Sequence, residues 1–386
     1  MKIALIRQKY TPFGGAERYM ARLVEGLAAE GHEVHILAAK WDAGGEASVT
    51  LHRVPVLKHP GWLKALTFSL GCKKIIARER FDVVFSLERT LSQDVYRAGD
   101  GCHRVWLRQK NLDRGLWGLI TTYLNPFQLA YLRLERQMFT DPGLSAIIAN
   151  SRMGKTDIVN LYGVAPEKIH VVYNGIDAAS FPLAERESYR QRLAEEYRLT
   201  DQLRILYVGS GFKRKGVPVL IEAAARLKIP FTLFVVGKGR YGGLQRRVQQ
   251  LGLAGRVVFT GPVRDVERFY LGCDLFVFPT LYDPFSNATL EAMACGLPVV
   301  TSRFNGAAEL LEEGDNGLVV RDPLDAGEIA GCIEKLSRPE LRSLMGSRAA
   351  LTAQGLTMVR NARESLAIVE AVLKEKTRGG QRGELK

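Results

Sequence analysis

The stretch DLFVFPTLYDPFSNATLEAMACG, residues 274–296, passes from an apolar run through a short loop into a helical pattern, and its reading decides the fold. Asp274 to Pro279 reads as a buried strand, because its run of Phe and Val ends in a proline that cannot continue a ladder. Ser286 to Ala294 reads as a helix, started by a capping Ser286 or Asn287 and stopped by Gly296 with Pro298 beyond. The amides at such a helix start form an anion site and carry roughly half a positive charge. Asp283 and Glu291 stand eight residues apart across this junction. The arrangement suits a sugar nucleotide, with a diphosphate at the helix start, Asp283 accepting hydrogen bonds from sugar hydroxyls and Glu291 from a ribose diol. The competing reading is a loop aspartate and a helix glutamate, both solvated.

Outward from this stretch, strand and helix signals alternate along the chain, which predicts parallel sheets with crossover helices. Lys2–Arg7, Glu33–Ala38, Asp82–Ser86, Ala146–Asn150 and His170–Tyr173 read as strands of a first series. The pattern restarts with Arg204–Val208, Phe231–Val236, Val257–Thr260, Leu275–Phe278, Pro298–Thr301 and Gly317–Val320. The expected organisation is a Rossmann-like domain over residues 1–176, a polar passage over 177–202 and a second Rossmann-like domain over 203–355. A helix over 356–376, able to pack back on the first domain, and a disordered tail over 377–386 complete it.

Several strand ends lead into glycine loops. Gly14 and Gly15 follow the first strand and open a helix, which lets a ligand approach backbone amides, although a plain tight turn reads equally well. The G-x-G-x-x-G spacing of a dinucleotide site is absent. In the second series, Val208-Gly209-Ser210-Gly211-Phe212-Lys213-Arg214-Lys215-Gly216 places three cations between a strand and a helix. They could neutralise a leaving diphosphate without a metal. Gly237 and the Gly261-Pro262-Val263-Arg264 turn repeat the logic at two further strand ends. In the first half, Asp100-Gly101-Cys102-His103 offers an aspartate and a histidine, either of which could take a proton from an acceptor hydroxyl. Both also fit a purely structural role.

With 386 residues, 46% hydrophobic and 25% charged, the chain has the composition of an ordinary globular protein of about two domains. Five scattered cysteines without metal-ligand spacing predict a reducing compartment and no structural metal. No signal-peptide core and no apolar run of membrane-spanning length is found, so a cytoplasmic location is expected. The net charge of +13 is weighted toward residues 1–176, with 24 basic and 16 acidic side chains. There, residues 58–80 and 103–136 interleave Lys and Arg with Trp, Tyr, Phe and Leu, as a protein resting on an anionic inner membrane leaflet would. Two amphipathic helices with solvated basic faces would look the same. No nucleic-acid-binding motif accompanies the charge.

Asp283 to Gly296 resembles the E-x7-E segment of the family 4 retaining glycosyltransferases, which have the GT-B fold: two Rossmann-like α/β domains whose parallel sheets face each other across a cleft. The resemblance extends, in the family's order, through Gly14-Gly15-Ala16-Glu17, Ile148-Ala149-Asn150-Ser151, Val172-Tyr173-Asn174-Gly175-Ile176-Asp177, Lys215-Gly216, Val236-Gly237-Lys238-Gly239 and Asn305-Gly306-Ala307-Ala308-Glu309. Within the family, residues 9–15 and 208–217 are most similar to the glucosyltransferases of the lipopolysaccharide core.

The resemblance implies an N-terminal acceptor domain and a C-terminal domain for a nucleotide sugar, expected to be a UDP-sugar, acting as substrate with no cofactor or metal. It places Gly14 and Gly15 against diphosphate or acceptor, Lys215 on the diphosphate, Asp283 on the donor sugar, the amides near Ser286, Asn287 and Ala288 on the β-phosphate, and Glu291 on the ribose. Gly237 and Val263 belong to the same donor surface, and Asp100, His103, Lys215 and Asp283 are the candidate chemical groups. Two departures stand out: Asp283 replaces a glutamate, and Ser210 replaces the usual arginine, whose charge Arg214 could supply. The implied reaction moves a hexose to a hydroxyl of a lipopolysaccharide core or other glycolipid. A family member using GDP-mannose, a sugar-nucleotide epimerase and a nucleic-acid-binding protein are the alternatives.

Overall fold

The computed structural model describes residues 1–10, 15–41, 49–57, 59, 61–111, 118, 120, 122 and 124–383. The chain divides into two compact units, one of residues 1–173 with 358–386 and one of residues 174–357.

The first unit is built on seven parallel strands: β1 (Lys2–Ile6), β2 (Glu33–Ala38), β3 (Val49–Arg53), β4 (Val83–Ser86), β5 (Val95–Ala98), β6 (Ala146–Ala149) and β7 (Ile169–Val171). Their spatial order is β3-β2-β1-β4-β5-β6-β7. A separate parallel pair joins Lys9–Tyr10 to Lys40–Trp41. Its helices include α1 (Gly15–Ala29), α2 (Gly61–Glu79), α3 (His103–Lys110), α4 (Pro126–Phe139) and α5 (Arg152–Tyr162). β1, β4 and β6 are buried almost throughout, which is why they read as continuous apolar runs rather than alternating ones.

The second unit opens with α6 (Arg186–Tyr197) and carries six parallel strands: β8 (Leu203–Val208), β9 (Phe231–Val236), β10 (Val257–Gly261), β11 (Leu275–Phe278), β12 (Val299–Ser302) and β13 (Gly317–Val320). They lie in the order β10-β9-β8-β11-β12-β13. Between them run α7 (Val217–Ala224), α8 (Gly242–Gln250), α9 (Glu267–Gly272) and α10 (Asn287–Ala294), followed by α11 (Ala326–Lys335) and α12 (Pro339–Gln354). Asp274, first residue of the decisive stretch, is a staple: its carboxylate accepts from Arg190 at 2.6 Å and from the Arg204 amide at 2.7 Å, which fixes the start of β11. In both sheets the strand order reverses beside the first strand. A doubly wound sheet receives its ligand outside the carboxyl ends of the strands at that switch point. In the second unit the switch point lies between β8 and β11.

The chain ends in α13 (Met358–Gly383), which belongs to the first unit. Ala362, Val369, Val372 and Leu373 join the core made by α1 and the sheet, and Asn361 Nδ2 donates to Tyr173 O at 2.6 Å. α13 therefore runs past residue 376, and the stretch expected to be a disordered tail is helical as far as Gly383. Among the described residues, no helix is long and apolar enough to cross a membrane.

Candidate active site

Two loops flank the switch point of the second unit, Gly209–Gly216 after β8 and Pro279–Ser286 after β11. They touch backbone to backbone. Arg214 O accepts from Leu281 N at 2.8 Å and from Thr280 Oγ1 at 3.2 Å. Gly216 has φ +81°, and a Cβ built there would lie 1.9 Å from Pro279 O. Only glycine permits this approach, because it tolerates the left-handed backbone and has no side chain to separate the loops.

The contact delivers two cations to one carboxylate. Lys215 Nζ stands 3.6 Å from Asp283 Oδ2, and Arg214 Nη1 stands 3.8 Å from the same oxygen while donating to Tyr282 O at 2.8 Å. Asp283 is only 7% exposed and is fixed through its backbone: its amide donates to Phe304 O at 2.9 Å and its carbonyl accepts from Gly306 N at 2.8 Å. Lys215 lies over the Phe278 ring, 5.1 Å from its centroid, and Phe278 in turn stacks on Tyr207. Burial holds the Lys215 ammonium below the ordinary lysine range; the Asp283 carboxylate opposes that shift and Arg214 adds to it. A cation that has given up much of its water is prepared to meet a second anion, since little further desolvation remains to be overcome.

Beyond Asp283, Ser286 caps α10. Its Oγ accepts from Thr289 N at 3.3 Å, and its own amide donates to Asn305 Oδ1 at 3.1 Å. Asn305 is 1% exposed and serves four groups, accepting also from Ala307 N and donating to Thr289 Oγ1 and Thr301 Oγ1 at 3.0 Å each. It thereby sets the start of α10 relative to β12. Asn287 and Ala288 form the first turn, whose amides have no partner inside the helix. Asn287 Oδ1 accepts from Asn174 Nδ2 at 2.8 Å. Glu291 follows one turn later and accepts from Tyr270 OH at 2.8 Å. Burial, and then the Glu291 charge, pushes the Tyr270 phenol far above its ordinary pKa, so it stays a donor. Arg186 Nη1 donates to Cys295 O at 2.5 Å and closes the far end of the helix.

Lys215, Arg214 and Asp283 thus come together beside the helix start formed by Ser286, Asn287 and Ala288, with Glu291 on the same helix. Ser210 is exposed at the tip of its loop. Gly237 directly follows β9, donates its amide to Gly261 O at 3.0 Å and packs on Gly209, where a Cβ would lie 2.2 Å from the Gly209 carbonyl oxygen. Val263 is half-buried just past the end of β10. In the first unit, Gly15 opens α1, while Gly14 lies outside the described residues. The Asp100 side chain is 80% exposed, and His103 is the first residue of α3, its Nε2 hydrogen-bonded to Gln128 Oε1. Burial raises the Cys102 thiol pKa far above its ordinary value, which keeps it an inert core side chain. Sequence reading assigned no role to Tyr270, Asn305 or Arg186. Only Asn305 carried a signal, as part of the Asn305–Glu309 run.

Comparison with known proteins agrees with the fold. The family model described as "Glycosyl transferases group 1" matches residues 202–338, and the one described as "Glycosyltransferase Family 4" matches residues 13–180. The chain is 27% identical over 355 residues to the lipopolysaccharide glucosyltransferase WaaG of Escherichia coli K12, covering 89% of this chain and 91% of that protein. The crystal structure of WaaG, a glycosyltransferase involved in lipopolysaccharide biosynthesis, matches with TM-score 0.79 at 24% identity, over 95% of this chain and 99% of that one. Anabaena HepE in complex with UDP-glucose matches with TM-score 0.71 at 22% identity, over 96% and 99%.

Proposed function

We propose, on the premise that this chain belongs to the group 1 and family 4 glycosyltransferases, that it transfers a hexose, with retention of configuration, from a UDP-sugar to a hydroxyl of a glycolipid acceptor such as the lipopolysaccharide core. The observation that carries this reading is the convergence of Lys215 and Arg214 on Asp283 beside the start of α10. In the proposed step the bond from the sugar C1 to the diphosphate oxygen breaks and a bond from C1 to the acceptor oxygen forms on the same face. The negative charge gathering on the diphosphate is met by Lys215, Arg214 and the first-turn amides, which serve the role a divalent metal fills elsewhere. The acceptor proton leaves to the departing diphosphate or to a side chain of the Asp100–His103 turn. Glu291, held by Tyr270, binds the ribose diol, and Asp283 the hydroxyls of the sugar.

A thermal-shift screen of UDP-, GDP- and ADP-sugars tests the donor. A ligand at 100 times its dissociation constant stabilises by about 2.7 kcal/mol, a readily measured shift. UDP-glucose is expected to stabilise the protein, and Glu291→Ala to abolish both that shift and turnover while the unliganded protein stays folded. Wild-type turnover in Glu291→Ala would refute the assignment, and a response confined to GDP-mannose would replace the UDP-sugar.

The acceptor side is proposed to rest on the inner membrane face. Support comes from the first unit, where Leu66, Leu70, Leu124, Phe127 and Leu129 are exposed beside the exposed cations Lys73, Lys74, Arg133 and Arg136. Phe127 is seated near Gly61, which brings the starts of α2 and α4 together. Apolar side chains next to cations suit the boundary of an anionic bilayer. The protein is expected to sediment with phosphatidylglycerol vesicles, not with phosphatidylcholine vesicles, and to be released by salt. Leu124→Ser/Phe127→Ser should weaken binding at least tenfold. Equal binding to both vesicle types would remove the electrostatic part of the proposal.

A further inference from the structure

α3 begins two residues beyond Gly101 and has no cap of its own, because the Cys102 side chain makes no capping hydrogen bond. Its first amides are capped from another helix. Glu135, on α4, accepts from His103 N at 2.7 Å and from Arg104 N at 3.2 Å. The Glu135 side chain is fully buried, and it also receives Arg89 Nε at 3.2 Å and the Tyr162 hydroxyl. Arg89, itself 5% exposed, donates further to Gly101 O and to Tyr131 OH, and stands 3.7 Å from Asp100 Oδ2.

A buried ion pair is a poor way to gain stability, since apolar side chains of similar volume do as well. What this pair does, and apolar groups could not, is hold a turn by its polar backbone. Arg89 grips the carbonyl of Gly101 and Glu135 grips the amides of His103 and Arg104, so the segment carrying Asp100 and His103 is clamped from below. The same helix α4 supplies Gln128, whose amide oxygen accepts from His103 Nε2, and Tyr131, whose ring packs edge-on against the imidazole at 4.9 Å. With Nε2 carrying the proton, Nδ1 carries the lone pair.

We infer that Glu135, with Arg89 as its counter-ion, is a positioning residue that aims the Asp100–His103 turn for acceptor chemistry; this rests on the proposed acceptor-side role of that turn. The groups that act on the His103 ring are Glu135, Arg89 and Lys110, together with the neutral Gln128. Burial, the largest influence, lowers its pKa, the Gln128 hydrogen bond and the Glu135 charge raise it, and Arg89 and Lys110 lower it further. Neutralising Glu135 therefore lowers the His103 pKa and moves the acid limb of a His103-dependent rate to lower pH.

The test is Glu135→Gln, assayed with UDP-glucose and core lipopolysaccharide lacking its outer sugars. The expected result is a kcat reduced at least tenfold, a dissociation constant for UDP-glucose within twofold of wild type by calorimetry, and a His103 ring titration displaced to lower pH by NMR. Arg89→Lys, which keeps the charge but not the fork, serves if Glu135→Gln does not fold, with the same kcat and calorimetric readouts. Asp100→Asn and His103→Gln separate the two levels. If both retain wild-type kcat, the role of the turn is wrong. If either loses it while Glu135→Gln melts earlier but keeps wild-type kcat and His103 titration, Glu135 only supports the fold and the inference is overturned.

Discussion

Lys215→Ala is expected to reduce turnover at saturating donor by about 10²- to 10³-fold, roughly 2.7–4 kcal/mol of transition-state stabilisation, the range typical for removing one preorganised donor from a developing oxyanion. Lys215 is suited to so large a share because its ammonium is already desolvated over Phe278 and held 3.6 Å from the buried Asp283. In the proposed step it would meet the leaving group without a search through rotamers, and its charge would act where water screens it little. Arg214 remains in the variant, 3.8 Å from Asp283, so the carboxylate is not left alone and the second unit should stay folded. Initial rates of UDP release with core lipopolysaccharide as acceptor, read beside a melting curve, give the answer. Turnover within tenfold of wild type would mean that Arg214 and the α10 amides suffice, and would remove Lys215 from the mechanism.

Gly216→Ala is expected to cost about 3 kcal/mol or more of folding stability and to erase donor binding. Two penalties combine. An alanine at φ +81° bears roughly 1–2 kcal/mol of left-handed strain. Its Cβ would also lie 1.9 Å from Pro279 O, a backbone atom that cannot swing aside as a side-chain tip would. The loops must part, and parting them withdraws Lys215 and Arg214 from Asp283. Gly252→Ala is the matched control: φ is +69° there, but the space around the glycine is open, so only the conformational penalty applies. Denaturant unfolding of both variants isolates the clash. A difference below about 1 kcal/mol would show that the two loops separate freely.

Much of the proposed donor surface was legible in the chain because parallel strands buried on both faces leave continuous apolar runs, and those of β8 and β9 lead into Gly209 and Gly237 at the carboxyl edge. The run at 275–278 and the cap at Ser286 place Asp283 and Glu291 where the sequence reading put them, on the loop and on the helix. Arg214, named as a substitute for the arginine missing at Ser210, stands beside Asp283 while Ser210 is exposed. What escaped are the residues that act over distance. Asn305 reaches Thr289 across 16 positions, Tyr270 reaches Glu291 across 21, and Arg89 reaches Glu135 across 46. Partners so separated leave no period in the sequence, and a buried tyrosine or glutamate looks locally like any other. The polar, glycine-bearing last turns of α13 read as a tail in the sequence, while the helix they continue is anchored by Val369, Val372 and Leu373 in the first unit's core.

The return of that last helix orders events on the ribosome. The chain leaves the first unit after Tyr173 and rejoins it at Met358, and the two ends of the second unit are tied together where Ile176 N donates to Leu356 O at 2.9 Å. Residues 174–357 are therefore contiguous and can close their core as soon as they have emerged. The first unit cannot, although its sheet is made earlier, because Ala362, Val369, Val372 and Leu373 arrive last. The unit synthesised second is the one finished first, and until residues 358–373 have emerged the face of α1 that they cover stays open to chaperones and to premature aggregation.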